Sequence, residues 1–339
     1  MDRRLFLSVA AATTARAFQK VPVGIGFLGA THSHAEGKLA VVRSLPELRL
    51  IGICESDPKV ADGFRRAGLQ LLSRDELLHH PEIHVIAVES PVHSHAADGL
   101  AVLEAGKHLH LEKAPADSMA GFQKVVTAAR AKRLLLQVGY MWRYNPGIVQ
   151  ALEAARAGYL GSVYMLHANI GNQLAAQRRP EWAEFPGGTM FELGGHIIDP
   201  MVRLMGRPRN ITTTLHKDGA FADTLRDNTL AVLEWDKAIG TVQSSTLEPD
   251  SSRNRYFEIH GTNGYAVVRP IEQPLLSIEL EKAAGPYKAG ARKLEYPPYK
   301  RYVEDMSELA AAVRGDRKLR TSFDEDLMVQ EALLRCSGM

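Results

Sequence analysis

What most constrains this chain is an alternation sustained from Val21 to Val138. Short runs rich in β-branched and apolar residues occur at Val21–Leu28, Leu48–Cys54, Ile83–Val88, His108–Leu111 and Leu134–Val138. Between them, helical spacing begins near His34, Pro58, Ser73, Ser94 and Ser118. Ser73 stands three residues before Glu76, the spacing of a capping box, and Gly106 closes the helix that Ser94 opens. Strands that alternate with helices must pair in parallel and be covered on both faces, so the first part of the chain is expected to be a doubly wound α/β domain over 18–145.

The pattern changes after Asn145-Pro146, a cap and first-turn pair that opens a helix reaching about Ala157. Longer strand candidates follow at Val163–Ile170, Ile211–Leu215, Thr229–Trp235, Ile239–Ser245, Tyr256–His260 and Ala266–Val268, interrupted by a helix over Thr189–Met205. Few helices separate these strands, so a mainly antiparallel, open sheet is expected in an α+β domain over 146–339. Pro274 to Pro298 reads as loop, and Tyr302–Val313 and Phe323–Leu334 as closing helices that return to the first domain.

Charge and cysteine content narrow the function classes. Lys and Arg number 41 against 39 Asp and Glu, a net charge of +2 with no basic stripe, so nucleic acid is not the expected partner. Cys54 and Cys336 have no metal-knuckle spacing. No apolar run is long enough to span a bilayer. Residues 1–17 read differently: Arg3-Arg4, Leu5-Phe6-Leu7, a small-residue stretch and Ala15-x-Ala17 resemble a twin-arginine export signal. A periplasmic location is therefore expected, or a cytoplasmic one if the segment is not a working signal.

The chemistry is read from the strand ends. Val21–Leu28 runs into Gly29-Ala30-Thr31-His32-Ser33-His34, where a dinucleotide fold carries G-x-G-x-x-G. Gly29 is the first glycine, whereas Thr31 and His34 replace the second and third. Glu55, at the end of the second strand, can accept hydrogen bonds from ribose hydroxyls and repel a 2′-phosphate, which favours NAD over NADP. Ser90-Pro91-Val92-His93-Ser94-His95 and Glu112-Lys113-Ala114-Pro115 follow the next two strands. In the second half, Glu192, His196 and Asp199 fall at i, i+4 and i+7, one face of an α-helix. His32, His34, His93 and His95 have no carboxylate or cysteine interleaved at ligand spacing, so no metal site is expected.

The order and spacing of these segments resemble the glucose-fructose oxidoreductase, inositol dehydrogenase and MocA family. There a Thr-Pro-x-x-x-His segment and a Glu-Lys-Pro segment occupy the two loops, and Asp-x-Gly-x-His-x-x-Asp the helix. The resemblance implies a nicotinamide-dependent oxidoreductase acting on a sugar or polyol-like substrate, assembled as a homodimer or homotetramer through its open sheet. It implies cofactor contacts at Gly29, Thr31, His32, Glu55, Ser90, Pro91, His95, Glu112 and Lys113. Arg143, Asn145, Glu192 and Asp199 are implied to meet substrate. Lys113 matches the family's catalytic lysine, with Ala114 in place of the following proline. His196 matches the histidine, and Glu192 replaces an aspartate.

Oxidising a secondary alcohol moves a hydride to nicotinamide and a proton to a base. Lys113 and His196 are both candidate bases. His196 is assigned as acid/base, Lys113 as the polarising or relay group, and Glu192 as the substrate anchor. Two other functions share the same residues: an exported glycosidase that oxidises, eliminates and returns its hydride, and a non-catalytic sugar- or nucleotide-binding regulator.

Overall fold

The computed structural model describes residues 21–339, so the export-signal reading of residues 1–17 lies outside the described residues. Five strands, β1 (Val23–Leu28), β2 (Leu48–Cys54), β3 (Val85–Val88), β4 (His108–Leu111) and β5 (Leu136–Val138), form an all-parallel sheet in the order β2-β1-β3-β4-β5. They alternate with α1 (Ala35–Ser44), α2 (Pro58–Arg66), α3 (Arg74–His79), α4 (Val92–Glu104) and α5 (Met119–Lys132). Strands β1, β3 and β5 are buried throughout, as a sheet covered on both faces requires. The capping box at Ser73 and the cap at Ser118 form as the spacing predicts.

Helix α6 (Pro146–Arg156), capped by Asn145, leads into the second layer. Strand β6 (Val163–Gly171) is followed by a short helix α7 (Arg179–Trp182), a π-helical turn over Met190–Gly194, and α8 (Gly195–Met205). Strands β7 (Asn210–His216), β8 (Asn228–Glu234), β9 (Ile239–Ser245), β10 (Tyr256–Gly261), β11 (Gly264–Val268), β12 (Leu275–Leu280) and β13 (Gly290–Glu295) complete an eight-stranded sheet ordered β13-β12-β11-β10-β6-β9-β8-β7. All its pairs are antiparallel except β6 with β9. Leu166, Ala168, Val242, Phe257, Ile259 and Ile278 bury one face against the helices, while Tyr164, Leu230 and Ile239 stand exposed.

The stretch from Pro274 to Pro298, read as loop, instead supplies β12 and β13. Leu276, Ile278 and Leu280 alternate inward on β12, and the exposed β13 closes the sheet as an edge, where polar residues mask a strand in a sequence. The closing helices α9 (Val303–Val313) and α10 (Phe323–Cys336) return as expected. Met306, Leu309 and Ala310 of α9 share a core with Val23, Ile25 and Phe27 of β1.

Candidate active site

The loops leaving the C-terminal ends of β1, β3 and β4 converge, which is where open parallel sheets bind ligands. Gly29 takes φ +77°, and a Cβ there would lie 2.6 Å from the backbone N and Cα of Ser90. This turn therefore admits glycine alone and brings the first loop against the third. Glu55 accepts hydrogen bonds from the backbone N–H of Ala30 (2.6 Å) and of Asp57 (2.7 Å), which fixes its carboxylate at the mouth between β1 and β2. Both features fit a dinucleotide: a side-chain-free turn for the pyrophosphate and an anchored acid for the ribose diol. Ser90 donates its hydroxyl to Asp98 (2.7 Å), and His95 holds its two ring nitrogens 2.8 Å and 2.7 Å from the carbonyl oxygens of Ser90 and Ala114. His95 is thus buried as the strut between two loops rather than presented to a ligand.

A cleft of about 360 Å³ opens over these loops, lined by Thr31, His32, Pro91, His93, Glu184 and Glu192, among others. A larger groove of about 880 Å³, between α5 and the α9–α10 loop, holds none of the candidate residues. Lys113 lies 4% exposed, its Nζ donating to the backbone carbonyl of Glu192 (3.0 Å) and standing 3.6 Å from the Glu192 carboxylate. Burial raises the Glu192 pKa, and Lys113 opposes that rise. His196 is buried among the rings of Trp142 (5.2 Å between centroids), His34 (5.9 Å) and Tyr140 (6.2 Å). Burial, helped by the charge of Lys113, holds its pKa well below the usual imidazole value, so it rests neutral and able to accept a proton. Its Nδ1 is buried and, among the described residues, has no hydrogen-bond partner.

Comparison with known proteins decides what this arrangement belongs to. Residues 21–140 match the family model described as an oxidoreductase family with an NAD-binding Rossmann fold, and residues 148–267 match the GFO/IDH/MocA C-terminal domain. The chain belongs to the Gfo/Idh/MocA family. It is an NAD(P)-dependent oxidoreductase. Levoglucosan dehydrogenase of Pseudarthrobacter phenanthrenivorans is 25% identical over 72% of each chain. Inositol 2-dehydrogenase of Salmonella typhimurium is 24% identical over 72% of this chain and 71% of its own. Among solved structures, levoglucosan dehydrogenase in complex with NADH and levoglucosan superposes with a TM-score of 0.80 at 18% identity, covering 94% of this chain and 98% of that one, which shows the shared fold.

Four residues expected at the Gfo/Idh/MocA ligand sites are committed to the interior. Arg143 is 3% exposed; its Nε and Nη2 donate to Asp199 (2.9 and 2.7 Å), Nη2 also meets Asp326 (2.7 Å), and Nη1 donates to Thr321 (3.0 Å). Asp199 is therefore spent on Arg143 and does not line the cleft. The π turn at Met190–Gly194 breaks the simple α-helical face on which i, i+4 and i+7 would align. Asn145 caps α6 and donates its amide to the Ile271 carbonyl (2.8 Å). Glu112 is fully buried and directed at Lys38.

That last contact belongs to a cluster which sequence reading missed. Lys38 of α1 is fully buried; its ammonium donates to Glu89 (2.5 Å) and Glu112 and lies 2.8 Å from His110 Nε2. Glu112 also accepts from His34 Nδ1 (3.0 Å). His110, Glu89 and Glu112, and separately His32, His34 and Glu112, group their donor atoms as metal sites do, yet the ammonium of Lys38 already sits on Glu89, His110 and Glu112 as their cation. Two carboxylates sharing one cation are driven apart. Burial and the charge of Glu112 push Glu89 up to about 8, whereas Lys38 and the two histidines hold Glu112 well below the usual range despite its burial. One sequence signal pointed here: Lys38 shares the core face of α1 with Ala35, Leu39 and Val42.

Proposed function

We propose that the chain oxidises a secondary hydroxyl of a neutral sugar or polyol, with NAD as the hydride acceptor. The observation that carries this reading is the buried Lys113 ammonium held on Glu192, a residue of the cleft that Thr31, His32 and Pro91 also line, with the same ammonium acting electrostatically on the buried His196. The relatives named for levoglucosan and inositol support the substrate class. Bound nicotinamide supplies the hydride acceptor. Glu192 anchors a hydroxyl, the Lys113 ammonium polarises the reacting oxygen, and neutral His196 takes the proton. Of the cleft-lining residues, Glu181, Glu184 and Glu192 are acidic, and none is Lys or Arg. That lining favours an uncharged polyhydroxylated ligand over a sugar acid or sugar phosphate.

The test begins with mass spectrometry of any nucleotide released on denaturation, followed by titration with NAD and NADP. NADH formation is then followed with levoglucosan and myo-inositol as probes. NAD is expected to bind at least tenfold more tightly than NADP. Glu55→Ala is expected to weaken NAD by about tenfold or more, the worth of a charged hydrogen bond, and to narrow the preference. Equal affinity for the two nucleotides in the unaltered protein would overturn the choice of NAD. Product release without net NADH would instead identify oxidation–elimination chemistry at the same residues.

Two further parts of the proposal rest on surfaces outside the site. The rings of Tyr164, His167 and Tyr265 surround that of His260 in tilted and edge-on contacts on the large sheet, which also carries the exposed Leu230 and Ile239. We assign this face to subunit pairing in a homodimer or homotetramer, and a monomeric mass by light scattering at micromolar concentration would refute it. The arginine pair and Ala15-x-Ala17 support export to the periplasm. Fractionation is expected to place the protein there, and Arg3→Lys with Arg4→Lys to retain it in the cytoplasm.

A further inference from the structure

His34 occupies the position of the third fingerprint glycine, and the reaction as described so far gives it no task. Its side chain points inward from the start of α1 and donates from Nδ1 to the Glu112 carboxylate (3.0 Å). Glu112, ionised beside Lys38, can only accept, so the imidazole is held as the Nδ1–H tautomer with a lone pair on Nε2. Among the described residues Nε2 has no hydrogen-bond partner. The groups around this ring are His32 (4.7 Å between centroids), Tyr302 (5.6 Å) and His196 (5.9 Å), with the charges of Glu112, Lys113 and Lys38 behind it.

His196 has a problem that this geometry answers. The imidazole is 3% exposed and, among the described residues, its Nδ1 is unpartnered and no carboxylate is its hydrogen-bond partner to stabilise a proton once taken up. A base that cannot pass its proton on is available for one turnover. His34 is 13% exposed at its side chain, its ring lies 4.7 Å from that of the cleft-lining His32, and its ring separation from His196 is within reach of one bridging water.

We propose that His34, oriented by Glu112, is the relay through which the proton accepted by His196 leaves the site. The inference rests on the assignment of His196 as base. The substrate O–H bond breaks, its proton passes to His196, and the C–H electron pair leaves as hydride to the nicotinamide. His196 then gives a proton to His34 Nε2, directly or through water, and the resulting imidazolium, stabilised by the Glu112 carboxylate, releases it to water in the cleft. Each turnover yields ketone, NADH and one proton, and both histidines return to neutral. Burial lowers the pKa of His34 and Glu112 opposes that shift, in keeping with a group that is neutral at rest and becomes cationic next to a carboxylate.

Two experiments test the relay, and only one depends on substrate. In 15N-histidine spectra of the ligand-free protein, His34 is expected as the Nδ1–H tautomer, and its replacement in His34→Gln is expected to displace the His196 titration. A His34 Nε2–H tautomer, or a His196 titration unmoved by the change, would overturn the proposal even if the polyol assay found no activity. With an active substrate, His34→Gln is expected to lower kcat by about tenfold or more, leave NAD affinity within twofold, and recover rate with added imidazole, as general-base losses do. A loss that imidazole does not restore would mark His34 as a structural residue, and a kcat within twofold of the unaltered enzyme would remove it from the reaction. His34→Asn, which is smaller, separates loss of the relay from crowding at the glycine position. A wild-type enzyme that binds no nucleotide would instead count against the oxidoreductase chemistry beneath the proposal.

Discussion

Lys113→Met is expected to lower kcat by about 10³-fold, with NAD affinity and unfolding midpoint close to those of the unaltered protein. Lys113 is the cation nearest the Glu192 carboxylate, at 3.6 Å, and its Nζ is held by the Glu192 carbonyl at 3.0 Å. That bond fixes the ammonium beside Glu192, where, on the proposed mechanism, it would meet the negative charge that grows on the substrate oxygen. Such a group acts mainly in the transition state, so its loss falls on kcat more than on KM. Methionine keeps the aliphatic packing of the side chain while removing the charge. The fold tolerates the change because Glu192, whose pKa burial already raises, can accept a proton in place of its cation. Steady-state kinetics on a substrate found by NADH formation checks the result. Activity within tenfold of the unaltered enzyme would remove Lys113 from the chemistry.

Lys38→Met is expected to destabilise the protein by about 3–5 kcal/mol, the usual cost of removing one partner from a buried ion pair. Lys38, Glu89, His110 and Glu112 are all fully buried. Without the ammonium, the ionised Glu112 carboxylate is left in the interior with no cation, beside a Glu89 carboxyl that burial keeps protonated at neutral pH. Replacing both carboxylates as well, in Lys38→Met with Glu89→Gln and Glu112→Gln, is expected to recover most of the loss, because the unpaired charge is its source. In the unaltered protein burial pushes Glu89 up to about 8, above its unfolded value. Its contribution is therefore complete below the unfolded carboxylate range and is lost as pH rises through about 8. Glu112 has the opposite sign: its depressed pKa gives stability that is present above the unfolded value and lost as pH falls toward its folded one. Urea unfolding of the unaltered protein is expected to show stability declining from pH 7 to 9, and Glu89→Gln to flatten that decline. A loss below about 1 kcal/mol in Lys38→Met would show that the cluster is not the electrostatic unit described here.

The sequence by itself determined what depends on local periodicity and on chemistry at strand ends. Short continuous apolar runs alternating with capped helical segments specified the parallel sheet, because a strand covered on both faces is apolar at successive positions and a Ser or Asn cap needs only its own helix. Gly29 was legible because the turn admits no Cβ, and Lys113 and His196 because each follows a recognisable strand or glycine-rich entry. Edge strand β13 was not legible, since an exposed strand carries little apolar signal. Tertiary structure alone decided which charges face the cleft. Arg143 and Asp199 read as ligand contacts until the fold brought them together with Asp326, and a π turn rotated the face on which Asp199 was expected. Lys38 likewise finds Glu89 and Glu112 across distant stretches of chain. A side chain's charge is written in the sequence, but its partner is chosen by the packing of separate elements, and at 0% exposure that partner determines both its pKa and its role.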